Sequence, residues 1–173
     1  MTSWLEVLLA FLREFLPIRV IRDGFGGVRF VCGRAKGPYA PGFYWSLPLV
    51  WEMESYPTAE QVVNLCNVSC TTSDGQSLTL SANFNYVVTD VRLAYTMVHD
   101  VDQSMATEAL KYINKLVRKV TRAYVCEQQT QLEERIQRHL QSKVAAWGIG
   151  VLDVGLTDVV ATRAYRLFGD QGH

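Results

Sequence analysis

The clearest pattern in the chain is an alternation of apolar and small polar residues between positions 77 and 89. A period of two predicts an antiparallel strand with one buried face. A second β-rich run covers 60–72, and the residues between the runs are Ser73-Asp74-Gly75-Gln76. Asp-Gly between two such runs predicts a hairpin. The apolar positions of the second strand are Leu78, Leu80, Ala82, Phe84, Tyr86 and Val88.

Helical periodicity follows the hairpin. Asp90 is placed to cap a short helix that ends near Val98. Apolar residues spaced three and four apart predict two longer helices, from Asp102 to Tyr124 and from Thr130 to Trp147, and Gly148 is expected to end the second. The apolar stripes are Ile113, Leu116, Val117, Val120 and Tyr124 in the first helix, and Leu132, Ile136, Leu140, Val144 and Trp147 in the second.

The ends of the folded region are predicted as strands. An opening strand is expected at 26–32, followed by a turn-rich stretch that contains several glycines and prolines. A closing strand is expected at 149–159, with Leu152, Val154 and Leu156 on one side, and then a short helix from Val160 to Phe168. The fold class is therefore α+β, with an antiparallel sheet followed by a helix pair and a closing strand.

The N-terminal segment has a different character. Trp4 to Leu16 reads WLEVLLAFLREFL, and Pro17 is expected to stop the helix that it predicts. The segment is too short to span a bilayer, which needs about 20 apolar residues, and it lacks the basic start of a signal peptide. An amphipathic helix in the membrane interface is favoured over one docked in a protein partner or packed on its own domain. The expected lipid-facing residues are Trp4, Leu5, Leu8, Phe11, Leu12, Phe15 and Leu16.

An aromatic cluster lies in the turn-rich stretch, with Tyr39, Phe43, Tyr44, Trp45 and Trp51. Two interpretations remain open for it. The cluster is either part of the core or an interfacial belt beside the N-terminal helix. In the second case, Phe43, Tyr44 and Trp45 are added to the membrane-anchoring residues.

Charge and cysteine content narrow the function classes. The 173 residues include 17 Lys or Arg and 17 Asp or Glu, so the formal net charge is zero. A chain without net positive charge does not attract nucleic acid over long range, and the absence of net charge makes association between copies easier. Cys66 and Cys70 are expected on one strand, about 13 Å apart at ~3.3 Å per residue, which is too far for a disulfide. Reduced thiols in a reducing compartment are the simplest interpretation of Cys32, Cys66, Cys70 and Cys126.

Catalytic and cofactor motifs are not found in the sequence. His99, His139 and His173 have no acidic or thiol partners at metal-ligand spacing, and no nucleophile motif occurs, so no metal, cofactor or catalytic residue is predicted. A hydrolase with scattered catalytic residues is the remaining enzymatic alternative. The glycine-rich run Asp23–Gly27 precedes a strand rather than a helix, so it is predicted to be a flexible linker and not a phosphate loop.

A basic stripe is predicted opposite the apolar face of the helix from Asp102 to Tyr124. Lys111, Lys115, Arg118 and Arg122 recur at helical spacing, with Lys119 beside them. A solvated face is the simplest interpretation. The sharper hypothesis is an oligomer interface, in which these cations pair with acidic residues such as Glu127, Glu133 and Glu134 of a neighbouring subunit.

Several local motifs occur in a distinctive order. They are Pro41-Gly42-Phe43-Tyr44-Trp45-Ser46-Leu47-Pro48, the Thr72-Ser73-Asp74-Gly75 hairpin, Val88-Thr89-Asp90, and Trp147-Gly148-Ile149-Gly150-Val151. In this order the chain resembles the stomatin/prohibitin/flotillin superfamily, also called SPFH or band 7, over nearly its whole length. The resemblance implies an anchoring helix at 1–17, an SPFH-like domain at 18–159, and a short C-terminal helix and tail at 160–173.

The resemblance also implies a function. Proteins of this kind are expected to be non-enzymatic, membrane-associated, self-assembling scaffolds that organise membrane patches or regulate membrane-bound proteases. Because the long coiled coil of ring-forming members is not seen before His173, a short form is expected, assembling with itself or with a longer homologue. Its partners would be membrane lipid and other copies, on the cytoplasmic side. The alternative is a soluble module whose N-terminal helix docks into a protein partner.

Overall fold

The computed structural model describes Trp4, Glu6 and residues 18–46 and 51–161. The predicted N-terminal helix, apart from those two residues, and residues 162–173 lie outside this part of the chain. The strands are β1 (Ile18–Ile21), β2 (Phe25–Val31), β3 (Arg34–Tyr39), β4 (Gly42–Trp45), β5 (Trp51–Pro57), β6 (Gln61–Thr71), β7 (Ser77–Val88) and β8 (Ile149–Ala161). The helices are α1 (Val91–Met97), α2 (Val101–Val117), α3 (Arg122–Glu127) and α4 (Gln129–Val144), followed by a 3₁₀ turn at Ala145–Trp147.

These elements form two compact units. The first contains Met1–Glu60, Val87–His99 and Trp147–Ile149, and the second contains Gln61–Tyr86, Asp100–Ala146 and Gly150–His173. The predicted domain at 18–159 spans parts of both. The described sheets have the strand orders β1-β4, β3-β2-β5 and β6-β7-β8, and the β1–β4, β2–β3, β2–β5 and β6–β7 pairs are antiparallel. The α+β class with antiparallel sheets and helices is therefore confirmed.

The first unit contains two small sheets and one short helix, which packs against the β3-β2-β5 sheet. Asp90 caps α1 as predicted, because its Oδ1 accepts the backbone N–H groups of Arg92 and Leu93 at 2.9 and 3.1 Å. The helix packs against β2, where the rings of Phe30 and Tyr95 meet edge to face at 5.6 Å. A side chain at Gly26 would lie 2.5 Å from Val91 Cγ2, so the absence of one lets strand and helix come close.

In the second unit, β7 is the central strand and carries the predicted buried face. Leu78, Leu80, Ala82, Phe84, Tyr86 and Val88 are all buried. The hairpin to β6 is confirmed, and Gly75 has the left-handed φ of +73° that its tight turn requires. The helices α2 and α4 contribute a continuous apolar face to this core, consisting of Met105, Ala109, Ile113, Leu132, Ile136, Leu140 and Val144.

The structure corrects the prediction of one helix from Asp102 to Tyr124. Asp100, not Asp102, caps α2, by accepting the N–H of Gln103 at 3.0 Å. The helix ends at Val117 in a tightened turn, and the Val120 carbonyl there accepts the N–H of Ser73 in the hairpin at 3.0 Å. Thr121 then starts α3 as its N-cap. The hairpin tip therefore holds the chain in a turn at positions where the apolar periodicity predicts a continuous helix.

Other corrections concern strands. The linker prediction for Asp23–Gly27 was wrong, because Asp23 and Gly24 form the β1–β2 turn and Phe25 begins β2. The strands β1, β3, β4 and β5 were not predicted. In β8 the side chain of Leu152 is exposed and that of Val151 is buried, because two consecutive residues at Leu152–Asp153 face solvent and shift the alternation. Val160 and Ala161, predicted as the start of a helix, end β8.

Candidate functional site: an exposed apolar strand face

The small sheet of β1 and β4 presents an apolar surface to solvent. Ile18 pairs with Trp45 and Val20 pairs with Phe43 in an antiparallel register. Because side chains two apart lie on the same side of a strand, and directly opposed residues share a side, these four side chains occupy one face. Their exposed fractions are 44, 68, 55 and 80% in the order named. We call this surface the apolar ribbon face.

The opposite face of the same two strands holds them in place. Ile21 is buried, and its Cδ1 lies where a side chain at Gly27 would be, 2.1 Å from the added Cβ. The Tyr44 hydroxyl donates to the carbonyl of Ala40 at 2.7 Å, and its ring packs edge to face on Tyr39 at 5.3 Å. The ribbon is therefore fixed on one side, and the apolar residues of the other side are held outward.

This geometry divides the aromatic cluster that the sequence predicts. Tyr39 and Trp51 are half-buried, and the Arg29 guanidinium lies over both rings at 4.7 and 5.1 Å from their centroids. Phe43 and Trp45 take no part in this packing and are exposed. The core interpretation therefore suits Tyr39, Tyr44 and Trp51, whereas Phe43 and Trp45 belong to the exposed surface.

A contiguous exposed apolar face is informative because single exposed apolar residues are common, whereas clusters mark contact sites. Full burial of a side chain as large as Phe contributes about 1.5–3 kcal/mol. Two aromatic and two β-branched side chains on one small face therefore leave several kcal/mol of transfer free energy unused in the isolated chain. The residues suit a lipid phase or an apolar protein surface and offer no group for acid–base or nucleophilic chemistry.

The segment that contains the two ribbon strands is rich in cations. Residues 18–46 contain five cations, and Asp23 is their single acidic residue, so five positive charges less one negative give a formal charge of +4. The cations are Arg19, Arg22, Arg29, Arg34 and Lys36, and all except Arg29 are exposed. Glu52 and Glu54 on β5, which pairs with β2, offset part of this charge, so the asymmetry belongs to the segment 18–46 and not to the whole unit.

The predicted anchor lies next to this site along the chain. Of its residues, only Trp4 and Glu6 are described, and the Trp4 side chain is 74% exposed. Leu16 precedes the first ribbon residue, Ile18, by two positions. Within the described residues, no helix has both the length and the apolarity to cross a membrane.

The predicted oligomer residues do not form one continuous stripe. Because α2 ends at Val117, Lys111 and Lys115 lie on α2, Arg118 caps it, and Arg122 begins α3. The Lys111 ammonium pairs with Glu108 of its own helix at 2.7 Å. Glu134 is exposed, but the Glu133 carboxylate accepts the N–H of Leu156 within the chain at 2.8 Å. Lys115, Arg118, Arg122 and Glu134 remain on the surface as candidates.

The cysteines are free thiols. Cys32, Cys66 and Cys126 are exposed, and Cys70 is buried. The Cys70 thiol donates to Asn114 Oδ1 at 3.1 Å, and burial raises its pKa. Among the residues that the structure describes, no group of three His, Cys, Asp or Glu side chains is arranged to hold a metal ion.

A stacked pair of rings between α2 and α4 was not predicted from the sequence. Tyr112 and His139 lie parallel, with centroids 3.8 Å apart. Desolvation and then the nearby Lys143 lower the His139 pKa below its usual 6.5, while Glu108 opposes the shift and Lys115 adds to it. Only the contact between two helices far apart in sequence creates this environment.

We expect the stability of the fold to fall as the pH drops below about 6.5. His139 binds a proton more readily in the unfolded chain, so its full contribution is present above the unfolded pKa and is lost as pH falls through the lower folded pKa. Melting temperatures between pH 7.5 and 5.0, compared with those of His139→Phe, measure this. The variant keeps the ring stack and should show a flatter profile, and identical slopes would contradict the assignment.

Comparison with known proteins identifies the class. Residues 19–166 match the model of the SPFH domain / Band 7 family, and the chain belongs to that family. Two similar proteins are an uncharacterized protein of Archaeoglobus fulgidus, 23% identical over 90% of this chain, and a putative band 7 family protein of Acanthamoeba polyphaga mimivirus, 22% identical over 85%. The matches cover 63% and 48% of these relatives, so the chain spans only part of their length. The family is generally scaffold-like and non-enzymatic.

Proposed function

We propose that this chain is a membrane-associated scaffold protein that contacts lipid through the apolar ribbon face and the N-terminal segment. The observation that carries the proposal is the exposure of Ile18, Val20, Phe43 and Trp45 on one face of a fixed strand pair. Membership of the SPFH/Band 7 family supports it. The basic residues of the segment 18–46 add attraction to anionic headgroups, at about 1 kcal/mol per cation near such a surface.

The two apolar segments act together in this proposal. The N-terminal helix would lie in the interface, and the chain would re-enter the folded unit at Ile18 with the ribbon face against the same lipid surface. A single copy binds reversibly because partial insertion of a few side chains contributes only several kcal/mol. Several linked copies bind more tightly through their effective concentration.

Self-assembly is the second half of the proposal. The exposed charged residues Lys115, Arg118, Arg122 and Glu134 are the candidate contacts between copies, and a longer homologue is an alternative partner. In this role the assembly would organise a membrane patch and regulate proteins within it, membrane proteases among them. The exposed free thiols suit the cytoplasmic side, where such groups stay reduced. Light scattering in mild detergent tests this half, since a monodisperse monomer would contradict self-assembly and leave only assembly with a longer homologue.

Deletion of residues 1–16 should move most of the protein from floated liposomes to the soluble fraction. The deletion removes the seven side chains that are expected to face lipid and leaves only the ribbon to hold the chain on the membrane. Flotation on protein-free liposomes with a fraction of anionic lipid measures this, with circular dichroism to confirm that the deleted chain is folded.

Two other outcomes bear on the proposal. Equal flotation of both forms would show that residues 1–16 are not an anchor. If the full chain itself did not float on any protein-free liposome, the apolar surfaces would instead serve a protein partner.

A further inference from the structure

The outer edge of β8 is covered by side chains of α4. The Gln129 and Gln137 amides donate from Nε2 to the carbonyls of Leu156 and Leu152, both at 2.7 Å. The other two contacts run the opposite way, because the N–H of Leu156 donates to Glu133 Oε1 at 2.8 Å and that of Val151 donates to Gln141 Oε1 at 2.6 Å. We call these four side chains, Gln129, Glu133, Gln137 and Gln141, the edge ladder.

The spacing explains how a helix can pair with a strand. The ladder residues follow every fourth position, so they lie along one side of α4. From Gln129 to Gln141 the helix rises about 18 Å at 1.5 Å per residue. From Val151 to Leu156 the strand covers about 17 Å at ~3.3 Å per residue. Helix and strand run in opposite directions: Gln129 and Glu133 both reach Leu156, and Gln137 and Gln141 reach Leu152 and Val151 farther along.

β8 lies at the edge of the β6-β7-β8 sheet, where a strand presents backbone groups that can pair with another strand. It is 13 residues long and carries the exposed apolar side chains of Leu152 and Val160, so an open edge here would attract further strands. Asp153 and Asp158 are also exposed on β8. These carboxylates oppose the same contact as α4 does, because two copies of β8 that paired with each other would bring like charges together.

We propose that α4 is a built-in cap that prevents strand addition to β8, and that the strand it excludes is β8 of a second copy of this chain. The amide and carboxylate groups of the ladder occupy the hydrogen-bonding positions that such a strand would use. The consequence for assembly is that copies associate through surfaces other than this edge while the ladder is in place.

A labelled peptide of residues 149–161 is the probe for the open edge. The test variant is Gln137→Leu/Gln141→Leu, which removes two rungs without a change of charge. The matched control is Gln131→Leu/Ser142→Leu, which adds the same apolar side chains at exposed positions of the same helix that do not contact β8. Fluorescence anisotropy should show at least tenfold tighter peptide binding by the test variant than by the wild-type chain or the control.

Equal binding of the peptide to all three proteins would overturn the proposal. If the double variant does not fold, hydrogen exchange of the wild-type chain tests the proposal instead. The Val151 and Leu156 amides should be protected in the wild type, and Gln141→Ala should speed exchange of Val151 at least tenfold while leaving Leu156 unchanged. Rapid exchange of both amides in the wild type would show that the edge is open.

Discussion

The variant Phe43→Thr/Trp45→Thr is expected to bind liposomes about 100-fold more weakly than the wild-type chain. The two side chains are 80 and 68% exposed, so their replacement removes little packing from the folded protein. If each inserts most of its exposed surface, the pair contributes about 3 kcal/mol to transfer into lipid, which is roughly two powers of ten in the partition coefficient. Threonine keeps the preference for strand conformation, and β4 should remain paired with β1.

A matched control separates this effect from general surface polarity. Val62→Thr/Met97→Thr replaces two other exposed apolar residues, which are 53 and 62% exposed and lie outside the ribbon. This control should float as the wild type does, with liposome titration giving the partition coefficients. Equal losses in both double variants would mean that the ribbon face has no special role in binding lipid.

Gly148→Ala is expected to lower the free energy of unfolding by about 3–5 kcal/mol, which is more than the loss expected for Gly75→Ala. Gly148 has a φ of +72°, which costs an L-residue about 1–2 kcal/mol. An added Cβ would also lie 2.6 Å from the Asp90 carbonyl oxygen and 2.9 Å from the Asp90 Cβ. The remaining cost comes from this overlap with backbone.

The surrounding hydrogen bonds prevent the segment from moving away. The Gly148 carbonyl accepts the N–H groups of Thr89 and Asp90 at 2.8 and 3.0 Å and the Thr89 hydroxyl at 2.9 Å. Gly75→Ala is the control, because Gly75 has nearly the same φ of +73° and no atom within 4 Å of the added Cβ. Gly75→Ala should therefore lose only the conformational cost of placing an L-residue at a left-handed φ. Urea denaturation gives both free energies of unfolding, and equal losses would refute the steric explanation.

The elements that the sequence predicts well are those whose pattern is long and local. β7 has twelve residues with one buried face, so its alternation is complete and the six apolar residues on that face are all buried. The α4 helix has four apolar residues at helical spacing, and all are buried. In both cases the period alone determines which side chains face the core.

Of the missed strands, β1, β3 and β4 are the shortest, and β1 pairs with β4 across the intervening β2 and β3. β1 and β4 have four residues each, and β3 contains a glycine and a proline, so none shows a period that outweighs its turn-forming residues. The break between α2 and α3 likewise depends on the hairpin, through the bond from Ser73 to Val120. Such contacts are set by tertiary structure and leave no local trace.

The candidate site, too, is predicted only in part from the sequence. The sequence identifies Phe43 and Trp45 as members of an aromatic cluster, but their exposure depends on the pairing of β4 with β1 and on which face Ile21 and Tyr44 occupy. The edge ladder has regular spacing in the sequence, yet glutamines and glutamates four apart look like an ordinary solvated helix face. Only the position of β8 beside α4 brings these residues into contact with the edge of a strand.

The depth of the ribbon in a lipid bilayer tests the central claim most directly. A nitroxide label would be attached at Phe43→Cys, and separately at Val62→Cys, in a chain whose exposed Cys32, Cys66 and Cys126 are replaced by serine. With liposomes present, the label at position 43 should be more accessible to oxygen than to a water-soluble nickel complex, and the label at 62 should show the reverse. A label at 43 that stays in water while the chain is bound to liposomes would contradict the account.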